Sequence, residues 1–231
     1  TYYYQCSVHS AMIGTINVAE SAKLLLNPET SISDLSQSSE ITCFGDAATS
    51  TTQVKFAGTK SIYLDGTGDY LTVKSSASMG IGTGDFTIEC WFYATDASLD
   101  RGIWETRTDG YPNHSDGLSL TRITETTFRV YGTSQLIASS ATTITNNWNH
   151  LAVVRNSGTL EFFVNGVSQG TASNSTNMNS SQPIAIGSGR YTTSNSTPTH
   201  AVKGYIQDFR VTKGLARYTS NFTPPTAELQ G

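Results

Sequence analysis

The chain has 231 residues, a formal net charge of −4 and 14% charged side chains. This length suits one large all-β domain, or one domain with a further fragment, and it provides enough apolar material for a sizeable core. With only 14 Lys and Arg the chain has no basic stripe, so we expect no nucleic-acid binding. No apolar run approaches the roughly 18 residues that a membrane-spanning helix needs, so we expect no membrane insertion.

The first half of the chain begins with weak signals and then turns to clear strands. Residues 18–26 form the one helix-like stretch, which Pro28 ends. Residues 27–60 are rich in Ser and Thr, so they form either an irregular opening segment or edge strands. Alternating apolar and polar residues then predict strands at Ser61–Asp65 and Tyr70–Val73, joined by a Gly-Thr-Gly turn.

The next strong signal is a strand that is apolar on both sides. Residues 86–93 alternate with a period of two, with Phe92 on one face and Trp91 on the other. Large apolar side chains on both faces indicate a central strand in a two-layer packing. A weaker strand signal follows at residues 127–131.

A pair of consecutive hairpins gives the clearest local signal. Residues 151–154 pass through an Asn-Ser-Gly turn into residues 160–164. The strand then ends at Asn165-Gly166, a dipeptide that favours a tight hairpin because both residues tolerate positive φ.

The last part of the chain predicts two more strands, at residues 183–187 and 204–212. Long polar connections run through residues 96–116, 170–182 and 188–199. Loops of this size in a compact domain are usually functional or mobile. Short strands with Gly-rich turns and no periodic helix predict an all-β sandwich or jelly roll.

The three cysteines, Cys6, Cys43 and Cys90, leave at least one thiol unpaired or bound to something else. A Cys43–Cys90 disulfide is conceivable, although the sequence does not establish its geometry. Cys90 lies in the alternating strand, where a free cysteine also packs as a small apolar residue.

Five motifs occur in an order that resembles a known superfamily. They are residues 60–71, 84–92, 148–155, 163–166 and 204–214. Together they resemble a laminin-G-like domain of the concanavalin A-like lectin/glucanase superfamily. The closing residues 216–225 resemble the version found in phage and marine bacterial surface proteins. The resemblance implies an all-β, two-sheet antiparallel jelly-roll sandwich over residues 22–226, followed by a tail at 227–231.

Residues 1–20 read as a separate strand-loop-strand unit whose loop contains Cys6, His9 and Met12. Thiolate, imidazole and thioether are the soft ligands of a blue-copper site. The unit resembles the C-terminal hairpin of a cupredoxin-like domain, which supplies three of four copper ligands. The fourth ligand of such a site is an upstream His. His114, His150 and His200 are the other histidines of the chain, and nothing in the sequence brings them close to this loop, so we expect a structural remnant and no copper in this chain.

The resemblance also implies one structural calcium ion. Related domains hold this ion with Asp side chains and backbone carbonyls, the hard oxygen ligands that calcium prefers. Asp69 and Asp208 stand at positions that resemble those ligands. The family often has a second acidic residue where this chain has Gln207, which weakens the expectation. The alternative is a turn Asp together with a hydrogen-bonded strand Asp.

Catalysis is not expected. Glucanases of the superfamily place two carboxylates across the glycosidic bond. Residues 87–91 contain Glu89 with no second carboxylate two positions further along the strand, so Glu89 is expected to be hydrogen-bonded or solvent-facing. We also find no nucleophile triad, phosphate loop or zinc spacing.

Two functions therefore remain. The first is a surface binding module that recognises a glycan on a host or cell surface, because two loops offer aromatic and polar side chains. The candidate residues are Trp104, Arg107, Asp109, Tyr111, Asn113, His114, Arg190 and Tyr191. Trp104 is also a candidate for the core. Trp91 and Trp148 are expected to pack in the core or on a sheet.

The second is a purely structural subunit of a virion or surface filament with no sugar ligand. Exposed sheet edges permit strand addition between subunits, and the hairpin of residues 2–18 is the candidate to pair with a neighbour. Both functions imply a virion surface or extracellular location, other structural subunits as partners and a homo-oligomer. A lectin binds sugar saturably, whereas an assembly protein forms stable oligomers without ligand.

Overall fold

The structure is a computed structural model, and it describes most of the chain. The described residues are 2–5, 13–16, 22–26, 28, 31–34, 36, 39–74, 80–97, 100–107, 117–139, 145–178, 183–189 and 200–230. Those residues form seventeen strands and contain no helix long and apolar enough to cross a membrane. Residues 2–5 and 13–16 are described by their backbone alone.

The strands are given in chain order. They are β1 (Tyr2–Gln5), β2 (Ile13–Ile16), β3 (Leu24–Leu26), β4 (Ile41–Phe44), β5 (Ala48–Ser50), β6 (Ser61–Asp65), β7 (Tyr70–Val73), β8 (Phe86–Ala94), β9 (Arg101–Glu105), β10 (Ser119–Arg122), β11 (Phe128–Tyr131), β12 (Gln135–Ala138), β13 (Trp148–Asn156), β14 (Thr159–Val164), β15 (Val167–Ser173), β16 (Ile184–Ile186) and β17 (Lys203–Lys213).

Two antiparallel sheets form the body of the domain. The seven-stranded sheet has the order β12-β11-β10-β9-β16-β7-β4. The eight-stranded sheet has the order β15-β14-β13-β8-β17-β6-β5, and β3 pairs with β17 beside it. This arrangement confirms the all-β sandwich and the superfamily fold that the motifs implied.

The core lies between the sheets and follows the period-two pattern. On β8, Phe86, Ile88, Cys90 and Phe92 point inward and are essentially inaccessible to solvent. A side chain such as Phe86, once fully buried, stabilises the fold by about 1.5–3 kcal/mol relative to an exposed one. The opposite residues of β8 lie on the outer face of the eight-stranded sheet. Both faces of this central strand are therefore covered, as its sequence predicted.

The predicted hairpin between β14 and β15 is confirmed at its turn. Asn165 has φ 51° and Gly166 has φ 76°, which are the two consecutive positive values of a type I′ turn. A Cβ on Gly166 would collide with the carbonyl oxygen of Phe222. Glycine is required here by the backbone angle and by the close approach of the C-terminal segment.

The structure corrects the helix expected over residues 18–26. Leu24–Leu26 is strand β3, which pairs with β17 through Leu24↔Val211 and Leu26↔Phe209. All three leucines are buried, so the pairing and burial outweigh the helical preference of leucine.

The weakly patterned region and the first long connection also contain strands. Residues 27–60 contain β4 and β5, each at the edge of one sheet, so the edge-strand alternative is confirmed. The expected connection at 96–116 contains β9, which is an interior strand of the seven-stranded sheet. The sequence did not predict strand β9 (Arg101–Glu105), because the polar residues at its two ends leave only a short apolar stretch between them.

Cys43 and Cys90 are both free thiols. Cys43 is exposed on edge strand β4, whereas Cys90 is buried in the core on β8 of the other sheet. Burial raises the pKa of the Cys90 thiol well above its usual range. Cys90 thus packs as a small apolar residue.

At the N terminus, β1 and β2 pair antiparallel from Tyr2↔Ile16 to Gln5↔Ile13, which confirms the two predicted strands. The loop between them and the separate unit of residues 1–20 stay predictions. Cys6, His9 and Met12 lie outside the described residues. The likeness to a cupredoxin hairpin stays a prediction.

Candidate functional site

The outer face of the seven-stranded sheet carries polar side chains on three neighbouring strands. In β10, Leu120 points into the core, so Ser119 and Thr121 point outward. Ser119 lies opposite Glu105 of β9 on one side and Tyr131 of β11 on the other. We call this surface the polar face. It consists of Glu105, Arg107, Ser119, Thr121, Arg129 and Tyr131.

Arg107 organises one end of the polar face. Its Nε donates a hydrogen bond to Glu105 Oε1 at 2.6 Å, and both side chains are buried. Its Nη1 lies 3.4 Å from the carbonyl oxygen of Gly132, and its guanidinium carbon is 5.9 Å from the ring centroid of Tyr131. A buried ion pair with these extra contacts holds the guanidinium in one orientation.

The other end of the polar face has Arg129, whose Nη1 donates to the hydroxyl oxygen of Tyr131 at 3.3 Å. Arg129 and Tyr131 are both partly exposed. They therefore form an accessible rim beside the buried hydroxyls of Ser119 and Thr121.

Ser119, Thr121 and Arg129 each place a buried polar atom on this face. Ser119 and Thr121 are each 1% exposed, and within the part of the chain that the structure describes neither their hydroxyls nor Nε of Arg129 has a hydrogen-bond partner. An unsatisfied buried polar group costs about 1–3 kcal/mol. Because native proteins pair nearly all such groups, a cluster of them on one face favours a bound polar ligand or ordered water.

The structure places the residues predicted for glycan binding in different environments. Trp104 lies on β9 with 0% exposure and packs in the core, so its predicted stacking on a sugar ring is wrong. Its side chain points inward because it pairs with Leu120 on the core side of the sheet. Arg107 belongs to the polar face. The remaining candidates lie outside the described residues. They are Asp109, Tyr111, Asn113, His114, Arg190 and Tyr191.

Sequence reasoning missed most of the polar face. The sequence does alternate between polar and apolar residues in both strands. Ser119 and Thr121 flank Leu120, and Arg129 and Tyr131 flank Val130. The pattern shows that each strand has a polar side. It does not show that those sides adjoin, because that depends on which strands are neighbours in the sheet.

The two expected calcium ligands are far apart. Lys203 of β17 pairs with Asp65 of β6, and Asp69 accepts a hydrogen bond from the backbone N–H of Asp65. Asp208 lies five residues further along β17, on the order of 15 Å away at strand spacing. Asp69 and Asp208 therefore cannot hold one ion together, and that pairing is wrong.

Asp69 lies in an acidic group with Asp46 and Asp65, whose carboxylate oxygens lie within 4.8 Å of one another. Both oxygens of Asp69 already accept backbone N–H groups, from Asp46 and from Asp65, each at 2.8 Å. The Asp69 carboxylate thus serves the turn, as the alternative interpretation expected.

Asp208 has a different environment. It is 0% exposed at a bulge in β17, with φ 54°, and its Oδ2 accepts the backbone N–H of Leu229 at 2.9 Å. Its Oδ1 and the Oε1 of Glu228 are buried and have no hydrogen-bond partner among the residues that the structure describes. Burial first, and then the nearby Glu228 charge, raise the pKa of Asp208 to about 7. Two unsatisfied carboxylate oxygens fit a hard cation such as calcium.

A sequence-family comparison places the domain. The laminin G model described as the Concanavalin A-like lectin/glucanases superfamily matches residues 65–216, more than half of the 231 residues. The chain belongs to the concanavalin A-like lectin/glucanase superfamily. No protein with curated annotation matches it in sequence.

Solved structures of this superfamily fold resemble the chain at low identity. The binding domain of Paraclostridial Mosquitocidal Protein 1 superposes with a TM-score of 0.62 at 16% identity, covering 83% of this chain and 48% of that one. A botulinum neurotoxin type C structure, described as entering cells through two ganglioside molecules, gives 0.59 at 16% identity, covering 83% and 48%. The chain thus spans about half the length of these toxin domains.

A third neighbour is matched over nearly its whole length. Domain 4 of AbnA, an extracellular arabinanase from Geobacillus stearothermophilus, in complex with arabinotriose, gives a TM-score of 0.55 at 16% identity. The match covers 84% of this chain and 94% of that one. At this identity the likenesses show the shared fold.

Glu89, the carboxylate of central strand β8, has hydrogen-bond partners at both oxygens. Its Oε1 accepts two hydrogen bonds from Arg210, at 3.0 and 2.7 Å. Its Oε2 accepts the Tyr218 hydroxyl at 2.7 Å and lies 3.2 Å from His150 Nε2. Burial raises the pKa of Glu89, but the His150 hydrogen bond and the Arg210 charge outweigh it and lower that pKa to about 2. Glu89 is hydrogen-bonded, as expected, and secures the C-terminal segment.

Proposed function

We propose that the chain is a non-catalytic binding module that recognises a glycan through the polar face. The observation that carries this proposal is the set of buried, unpaired groups that Ser119, Thr121 and Arg129 present together. Two comparisons lend support, because the neighbours' descriptions mention arabinotriose and gangliosides as their ligands.

The chemistry of the polar face suits a sugar. Sugar hydroxyls both donate and accept hydrogen bonds, so they can satisfy the hydroxyls of Ser119 and Thr121 and the N–H of Arg129. The partly exposed ring of Tyr131 offers an apolar surface for the C–H face of a pyranose. The buried ion pair of Arg107 and Glu105 holds both side chains in place at one edge of the site. Less side-chain entropy is therefore lost when a sugar binds.

The setting we propose is adhesion, as part of a virion tail fibre or capsid decoration or of an extracellular surface protein. The closing residues 216–225 resemble the version found in phage and marine bacterial surface proteins. The partners would be a host or cell-surface glycan and other structural subunits of a homo-oligomer.

A second candidate is a structural subunit without a sugar ligand, and edge strand β4 favours it. Thr42, Cys43 and Phe44 are all exposed on this strand, and Phe44 stacks on Tyr70 at 4.4 Å. An exposed edge that is short of charge can pair with a strand of another subunit. Stable oligomers without ligand would support this candidate.

We also propose a structural calcium ion at Asp208, with Glu228 in place of Asp69 as the second acidic ligand. The support is one buried carboxylate oxygen on each residue for which the described residues provide no hydrogen-bond partner. Bound calcium would neutralise the negative charges of Asp208 and Glu228, which otherwise repel each other in a buried environment.

The decisive experiment is a glycan array with the full chain, repeated with the double variant Ser119→Ala and Thr121→Val. We expect the wild type to bind a defined set of glycans and the variant to lose about tenfold in affinity or more. Thr42→Val is the matched control, because Thr42 lies on the same sheet face at its far edge.

The outcome also separates a binding role from a structural one. The hydroxyls of Ser119 and Thr121 make no hydrogen bond to any described residue, so their removal should leave the unfolding free energy unchanged or raise it. Absence of glycan binding by the wild type, or full binding by the double variant, would overturn the proposal for the polar face.

A further inference from the structure

A row of aromatic side chains crosses the outer face of the eight-stranded sheet, on the opposite side of the sandwich from the polar face. Tyr63 of β6 lies opposite Tyr205 of β17, which lies opposite Tyr93 of β8, which lies opposite Trp148 of β13. Successive ring centroids are 5.0, 6.0 and 5.5 Å apart. We call these four residues the aromatic row. All except Tyr205 are partly exposed.

A cavity adjoins the aromatic row. Trp91 lies two residues before Tyr93 on β8 and points to the same face. It is 3% exposed and lines an open cavity of about 410 Å³, a volume within the range of small-ligand pockets. We call this cavity the lysine pocket. It is lined by Lys55, Phe56, Trp91, Pro224, Pro225 and Thr226.

The lysine pocket offers hydrogen-bond donors and a cation. The Nζ of Lys55 lies 3.9 Å from the ring centroid of Trp91, and among the described residues it forms no ion pair. Burial lowers the pKa of Lys55, as expected for an ammonium that is partly desolvated without a counter-charge. The indole N–H of Trp91 is buried, and no described residue accepts a hydrogen bond from it.

The backbone beneath the cation is anchored. The N–H of Lys55 donates to Gln207 Oε1 at 2.9 Å, and Gln207 Nε2 donates to the hydroxyl oxygen of Thr59 at 2.8 Å. Gln207 belongs to central strand β17, so the loop that presents Lys55 is tied to the sheet. The backbone that carries Lys55 over Trp91 is therefore fixed, which favours binding because the loop need not be ordered.

We propose that the lysine pocket and the aromatic row form a second binding site, specific for an anionic saccharide. The acidic group enters the pocket, where Lys55 supplies charge and Trp91 an N–H donor. The sugar rings extend along the aromatic row, whose three centroid spacings are comparable to those of successive sugar units. The acidic group is a carboxylate or a sulfate, because both accept the same donors.

This site is independent of the polar face, since the two surfaces lie on different sheets. The test is a titration of the full chain, followed by tryptophan fluorescence and by calorimetry. The probes are a linear uronic acid trimer, the neutral trimer of the same linkage, and that neutral trimer carrying one sulfate. We expect an acidic trimer to bind at least tenfold more tightly than the neutral one, with affinity that falls as salt rises.

Variants locate the binding. Lys55→Met keeps the apolar stem over Trp91 and removes the charge, so it should weaken the acidic trimer by about tenfold. Lys74→Met is the control, because Lys74 is an exposed cation paired with Glu40 away from this sheet. It should leave binding unchanged. Preference for the uronate or for the sulfate identifies the acidic group.

Three results would overturn the proposal. They are equal affinity for the neutral and acidic trimers, unchanged binding by Lys55→Met, and no binding of any probe. Folding of Lys55→Met is checked by its unfolding temperature, which should match that of the wild type since Lys55 lies at the surface of the pocket. The double variant Ser119→Ala and Thr121→Val should bind the acidic trimer normally, which keeps this test separate from that of the polar face.

Discussion

The carboxylate of Asp208 accepts the backbone N–H of Leu229 at 2.9 Å, and this hydrogen bond joins strand β17 to the C-terminal segment. Leu229 itself packs with Ala22 and Leu25, so the segment closes over β3. The other oxygen of Asp208 finds no hydrogen-bond partner in the described part of the chain, which makes this contact sensitive to charge.

Stability should depend on pH through Asp208 when calcium is absent. Its pKa is about 7 in the folded protein, above the ordinary value of 3.8, so the folded state holds the proton more tightly. The contribution is complete below about pH 4 and is lost as pH rises towards 7, with an upper limit of about 4 kcal/mol. Asp208→Asn removes this titration. Urea unfolding between pH 4 and 8 should show a flatter profile for the variant, and identical profiles would contradict the assignment.

Calcium should raise the unfolding temperature of the wild type if the ion binds at Asp208, because a ligand that binds the folded state stabilises it. Asp208→Asn should abolish that increment, measured by thermal unfolding in calcium and in chelator. Asp69→Asn is the comparison variant. It should lower stability but keep the increment, whereas loss of the increment would move the ion to the group of Asp46, Asp65 and Asp69.

Glu89→Gln should destabilise the fold severely. The change leaves the buried guanidinium of Arg210 without its carboxylate, which typically costs about 3–5 kcal/mol. Since the pKa of Glu89 is lowered to about 2, its contribution is present above about pH 4.5 and is lost as pH falls towards 2. Urea unfolding at pH 7 measures the effect. Glu40→Gln, which breaks the exposed pair with Lys74, should cause no measurable loss.

Gly166→Ala should lower stability by more than about 1 kcal/mol, because the turn requires positive φ and the new methyl group would meet the Phe222 carbonyl. The matched control is Gly158→Ala in the turn between β13 and β14. Gly158 also has positive φ, 81°, but has open space around its Cβ position. A comparison of the two separates the backbone strain from the collision. Equal losses would show that the C-terminal segment exerts no steric effect.

Several elements could be predicted to the residue from local sequence. Ser61–Asp65 and Tyr70–Val73 match the observed strands because alternating side chains fill one face of a half-buried sheet. The turn at Asn165-Gly166 was equally clear, since few residue pairs accept two positive φ values.

Other elements depended on distant partners. Leu24–Leu26 has the composition of a helix and becomes a strand because β17 offers it an edge and the core covers it. Trp104 lies in a segment that looked like a polar loop, yet it is buried because β9 fills a gap between β10 and β16. β17 is far from β3 in the sequence, and β16 is far from β9, so neither of these pairings is visible in the local sequence.

The sequence by itself determined the all-β class, the superfamily and the residues with an inward period-two pattern, because these follow from local propensity and alternation. Only the tertiary structure decided which outward-facing residues meet. Ser119 adjoins Glu105 and Tyr131, Tyr93 adjoins Tyr205 and Trp148, and Asp208 is separated from Asp69, all because of strand order and register. Strand order and register result from the packing of two sheets around one core, and they determine where both proposed binding surfaces lie.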